Sequence, residues 1–169
     1  MNTHSSRLNS RRFTIVHGTF QLSIKHPLTA EDVLSFKKVE DAQISPDGSR
    51  IAYVIGDSFK SNSKWARSTI WLVDAAGGDS RQLTTGPRTD SLPRWSPDGR
   101  RLAFLSDRLK DGQRQIFLLN PDGGEAVPLT DVKGEIPSPR GLNSLQWSPD
   151  GQQLGFLLED PETDEEHYK

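Results

Sequence analysis

Along the middle of the chain, apolar residues come in short runs, each closed by a cluster of Pro, Asp, Asn or Gly. Short runs bounded by turn formers predict β-strands rather than helices. Between positions 92 and 130 the pattern gives four of them, at 92–96, 101–106, 115–120 and in "AVPLT" at 126–130. The first pair is joined by Pro97-Asp98-Gly99, the last by "PDGG". Proline presets the first corner of such a turn, aspartate suits the second, and glycine takes the left-handed position leading into the next strand. Polar "DRLKDGQR" (107–114) reads as a loop between the second and third strands. Pro128 cannot donate to a ladder, which places the fourth strand at a sheet edge.

This unit recurs. Ser-Pro-Asp-Gly begins at Ser45, Ser96 and Ser148, with spacings of 51 and 52 residues. A second phrase alternates with it: "IWLVDAAGGDSRQLT" from Ile70 and "IFLLNPDGGEAVPLT" from Ile116. Two unrelated phrases repeated in one order indicate a duplicated unit, and a period of about 50 residues suits a propeller blade.

The second strand of each unit is apolar on both faces. One face carries Tyr53, Phe104 and Phe156 beside Ile51, Leu102 and Leu154; the other carries Ala52, Ala103 and Gly155, then Val54, Leu105 and Leu157. Side chains alternate across a strand, so each sheet offers a large face and a small one. Sheets with that asymmetry stack, large on small, as radial blades do. Trp95 and Trp147 precede two of the turns and Ile44 the third, which points to packing between blades rather than to a ligand platform. The fold class expected is therefore all-β: a partial β-propeller of about two and a half four-stranded blades, with repeats at about 43–84, 92–130 and 144–158 in a domain spanning 27–158.

One short helix is expected before the first blade, in "LTAEDVLSFKKV". Thr29 can cap it, Asp32 stands where a capping-box acid belongs, and Leu28 with Val33 can form a hydrophobic staple. Residues 1–26 are basic, Ser-rich and free of acids, and read as a disordered extension rather than a targeting segment. The segment 159–169 has six acids between Glu159 and Glu166 and reads as a solvated tail or loop. It lacks the ligand spacing of a calcium loop.

Composition narrows the function classes. A net charge of -2 gives no general attraction to nucleic acid or anionic membrane, and neither is expected as a partner. No apolar run approaches the roughly 20 residues of a membrane span. With no cysteine in the chain, thiol nucleophiles, disulfides and thiolate metal sites are excluded. A cytoplasmic location is the expectation.

The segment "PLTAEDVLSFKKVEDAQISPDGSRIAYVI" resembles the start of the propeller in acylaminoacyl-peptidase-like and dipeptidyl-peptidase-like members of the prolyl oligopeptidase family. The later "WSPDG" and "GG…LT" phrases are also similar to TolB-like and other WD-type repeats. The resemblance covers roughly residues 27–158. It implies an N-terminal propeller of seven or eight blades that filters short peptides toward an α/β-hydrolase domain with a Ser-Asp-His triad. This sequence departs from that pattern, with about two and a half repeats and no hydrolase segment.

No position takes over the family's catalytic roles. A nucleophile elbow needs Gly-x-Ser-x-Gly on a strand-to-helix turn. "GDSFK" at Gly56 and "GDSRQ" at Gly78 both lack the second glycine. His4, His17, His26 and His167 all lie outside the repeats. Asp74, Asp107 and Asp122 read as turn residues. The expectation is no catalytic, cofactor-binding or metal-binding residue in this chain, and no cofactor. Two functions remain. One is the propeller of a prolyl oligopeptidase-family serine peptidase, with the remaining blades, the hydrolase domain and short peptides as partners. The alternative is a non-catalytic TolB-like interaction module.

Overall fold

The computed structural model describes residues 29, 36–57, 67–137 and 144–159. Ten strands run through them in antiparallel sheets. The first blade has four: β1 (Lys37–Ile44), β2 (Arg50–Asp57), β3 (Ser68–Asp74) and β4 (Arg81–Gln82), hydrogen-bonded in that order. The second repeats the plan with β5 (Asp90–Trp95), β6 (Leu102–Lys110), β7 (Gln113–Leu119) and β8 (Val127–Pro128). The third contributes the hairpin β9 (Leu145–Trp147) and β10 (Leu154–Phe156). This is the propeller plan read from the repeats. β8 lies at its sheet edge, with Pro128 opposite Phe117.

The large-on-small stacking is present at the first junction, while at the second Phe156 is 36% exposed and stays outside the packed cluster. Leu102, Phe104, Phe117 and Leu119 of the second blade pack with Trp95 on Ala52, Val54, Ile70 and Leu72 of the first. The other face of the second blade, with Ala103, Leu105 and Ile116, packs on Leu145 and Ile136, and Trp147 and Leu154 close the edge. Phe104 and Phe117 are fully buried, with ring centroids 5.8 Å apart and tilted by 31°. Sheet order and stacking together set β1, β5 and β9 as neighbours on one side of the stack, because each is the first strand of its blade and β5 touches both others.

The structure differs from the sequence reading in two places. β1 starts at Lys37, pairing with Asp57, inside the stretch read as the end of a helix. The remainder of that helix, residues 30–35, lies outside the described residues, as do the extension 1–26 and residues 160–169. The polar run 107–114 is not a loop but the far end of the β6–β7 hairpin, where Lys110 faces Gln113. Its physical reason is Asp107. This residue is buried, and its carboxylate accepts the N–H of Thr89 at 2.9 Å and that of Gly112 at 3.4 Å. A polar residue with its partners built in belongs in a strand as readily as an apolar one.

Candidate functional site: the blade junctions and their turns

Each Ser-Pro-Asp-Gly turn is closed by the same set of bonds. The glycine N–H donates to the serine carbonyl at 2.8 Å for Gly48 and 2.9 Å for both Gly99 and Gly151. The glycines stand at φ 74°, 70° and 69°, a left-handed conformation that glycine adopts without a Cβ penalty. Each serine hydroxyl donates to the aspartate two residues on, at 2.6, 2.6 and 2.5 Å, and accepts the N–H that opens the second strand, at 2.9 Å each time. The aspartate also accepts the N–H of Ser49, Arg100 or Gln152. These donors favour the charged form. The Ser45 hydroxyl, followed by the hydroxyl and N–H of Ser49, holds Asp47 down to about 2. Asp98 and Asp150 are lowered too, first by the hydroxyls of Ser96 and Ser148. A carboxylate so engaged orders a turn; it is poorly suited to accept a proton in catalysis.

The turns also join blades. The indole N–H of Trp95 donates to the carbonyl of Gln43 at 3.0 Å, and that of Trp147 to the carbonyl of Arg94 at 3.0 Å. Gln43 and Arg94 are equivalent, each the residue before the apolar end of its first strand. The turns nest as well. A Cβ added at Gly99 would stand 3.7 Å from Cδ of Pro46, and one at Gly151 would stand 3.4 Å from Cδ of Pro97. A shallow groove of about 270 Å³ follows this line, bordered by Ile44, Pro46, Trp95, Pro97, Gln146 and Trp147.

Charged residues fasten the same junctions. Arg50 lies over the Trp95 ring at 5.1 Å, donates to the Gly99 carbonyl at 3.4 Å and pairs with Asp122 at 2.7 Å. Asp122 therefore sits in a turn, as read, and also ties the first blade to the second. Asp74 ends β3 and its carbonyl accepts the Gly77 N–H. Asp107 departs from the reading, because it is buried within β6. Arg94 pairs with Asp41 across the first strands at 2.8 Å.

The sequence reading missed a buried ion pair. Asp90 is 1% exposed and accepts from Arg108 at 3.0 and 3.1 Å. The same guanidinium lies 5.3 Å over the Phe104 ring and 4.9 Å over Phe117. Arg108 borders a second cavity of about 290 Å³, with Thr84, Thr85 and Glu125 at its edge. Its charge is already met by Asp90, so the arrangement is structural. Among the described residues, no group of His, Cys, Asp and Glu is placed to hold a metal ion. Of the two Gly-Asp-Ser segments, Gly56 lies in β2, while Gly78 is a left-handed glycine just before β4. The second leads into a strand rather than a helix, and residues 58–60 of the first lie outside the described residues.

Comparison with known proteins fits this architecture. The family model for the TolB beta propeller domain matches residues 21–165. Over 131 residues the chain is 39% identical to the uncharacterized peptidase YuxL of Bacillus subtilis, covering 78% of this chain and 19% of that protein. It is 29% identical over 141 residues to dipeptidyl-peptidase 5 of Porphyromonas endodontalis, covering 83% of this chain and 19% of the relative. The chain thus spans about a fifth of the length of these relatives. Among solved structures, an acylaminoacyl peptidase in complex with a chloromethyl ketone superposes with a TM-score of 0.55 at 23% identity, over 72% of this chain and 17% of that one. That similarity supports the fold, and the relatives bear out the peptidase resemblance carried by the opening segment.

Proposed function

Because the chain belongs to the TolB β-propeller domain family, and its relatives include peptidases, we propose that it is the propeller portion of a prolyl oligopeptidase-family serine peptidase. The observation that carries this reading is the 39% identity to a peptidase over most of this chain. In this reading the bond-breaking residues belong to an α/β-hydrolase domain outside this sequence. The propeller stands before that domain and admits short peptides while excluding folded proteins. Two observations support a mechanical rather than a chemical role. The turn aspartates are held by local donors. The Arg108–Asp90 pair, with Asp90 buried and Arg108 over two phenylalanine rings, is held within the blade.

Stiff blades suit a filter, since a size limit requires walls that do not yield to the substrate. The test is to express the reading frame as it continues past the codon for Lys169, and to offer the product acyl-amino-acid and dipeptide reporters alongside a folded protein. Hydrolysis of the short reporters with the folded protein left intact is expected. Cleavage of the folded protein at a comparable rate would overturn the filter. Absence of a hydrolase segment would overturn the peptidase assignment and favour a non-catalytic interaction module.

A further inference from the structure

Aspartate followed by glycine is a chemically weak point of a backbone. With no Cβ to crowd it, the glycine nitrogen can reach the preceding side-chain carboxyl. The chain has five such pairs, at Asp47, Asp98, Asp111, Asp122 and Asp150. All five aspartates are exposed, so access to water does not separate them. Hydrogen bonds do. In the three Ser-Pro-Asp-Gly turns the glycine N–H donates to the serine carbonyl at 2.8 to 2.9 Å, and the carboxylate accepts the serine hydroxyl at 2.5 to 2.6 Å. Nucleophile and electrophile are each held by another partner. At the fourth pair the Gly123 N–H donates to the Asn120 carbonyl at 3.1 Å, and Asp122 is tied to Arg50 at 2.7 Å. Asp111 is different. It stands at the tip of the β6–β7 hairpin beside Gly112. Among the described residues the Gly112 N–H reaches only the Asp107 carboxylate, at 3.4 Å, longer than an ordinary N–H bond. The Asp111 carboxylate pairs with Arg88, and exposed pairs of this kind hold a side chain weakly.

We propose that Asp111–Gly112 is a modification site, where the backbone isomerises to isoaspartate ahead of the other four pairs. In this step the Gly112 nitrogen bonds to Cγ of the protonated Asp111 side chain. The Cγ–OH bond breaks, and the hydroxyl leaves with the amide proton as water. The cyclic imide then takes up one water. Opening at Cγ restores aspartate. Opening at the main-chain carbonyl routes the backbone through Cβ and Cγ, with no change of mass and no oxidant or cofactor. The hairpin tip gains a methylene, which breaks the register that sets Lys110 opposite Gln113. It also gains a free α-carboxylate, the group that isoaspartyl-specific carboxyl methyltransferases accept. The modified tip is therefore a substrate for methyl transfer.

The test is to age the purified 169-residue chain at mildly acidic pH and map isoaspartate by peptide mass spectrometry. A carboxyl methyltransferase with labelled S-adenosylmethionine gives an independent count. Asp111 is expected to isomerise about tenfold faster than Asp47, Asp98 or Asp150, the worth of the hydrogen bonds those turns must first break. In urea the five rates should converge. Ser96→Ala removes the hydroxyl that holds Asp98 and should raise isoaspartate at Asp98 while Asp47 and Asp150 stay low. A rise at all three turns would report unfolding of the variant, and the wild-type ranking then decides. Equal rates at the five pairs of the folded chain would overturn the proposal, as would a lead at any pair other than Asp111. So would a folded chain that forms no isoaspartate at Asp111 while the urea-unfolded chain does.

Discussion

The aspartate of each Ser-Pro-Asp-Gly turn is fixed by a hydroxyl two residues before it and an N–H two residues after it. This has a consequence for acid stability. A carboxylate whose folded value lies below the usual aspartate value of about 3.9 contributes stability above that pH and loses it as pH falls toward the folded value. Three such turns, all solvent-exposed, should add a modest fall in the chain's melting temperature below about pH 4, with the last of the Asp47 contribution gone near its value of about 2. Melting curves of the variant with Asp47, Asp98 and Asp150 all changed to Asn should start lower at pH 7 and fall less over that window. An unchanged slope would show that other carboxylates dominate. Trp95 makes a second prediction of the same kind. Trp95→Phe keeps a ring between the blades and removes the bond to Gln43, so chemical denaturation should show a loss of about 1 kcal/mol. A loss within error of zero would mean the indole bond adds nothing to the junction.

Pairs of strands show what a single-chain reading captures and what escapes it. The turns and the alternating faces were legible because they depend on residues close in sequence. A turn needs its glycine at one offset, and a strand sends successive side chains to opposite faces. The packing of Phe104 in one cluster with Ala52 and Val54 follows from that alternation. The hairpin extension at 107–114 was not legible, because its burial depends on a partner 18 residues earlier: Asp107 serves the N–H of Thr89. Asp90 and Arg108 escaped for the same reason, each looking like an ordinary surface charge until the sheet forms. Their pairing predicts a large single-site effect. Arg108→Ala leaves the 1%-exposed Asp90 carboxylate without its cation and should cost about 3 kcal/mol by urea unfolding. A loss under about 1 kcal/mol would place water, rather than Arg108, as the partner that matters.

Over the whole molecule, the repeat explains the architecture, and the relatives include peptidases. Blades that stack large face on small face extend in one direction, and among the described residues Ile44 of the first blade and Leu157 beside the third are exposed. The chain spans about a fifth of the length of its relatives. The proposed peptidase role was legible only through the resemblance of the opening segment. The folding pattern itself is common to propellers with and without a hydrolase, and none of the described residues makes an elbow or a triad. The central claim is that this chain shapes access and that a separate domain performs hydrolysis. The most direct test is to assay purified 169-residue chain beside the product of the extended reading frame, on the same acyl-amino-acid and dipeptide reporters. The account predicts turnover by the extended product and none above blank by the chain alone. Turnover by the chain alone, abolished by a serine-directed inhibitor, would contradict it.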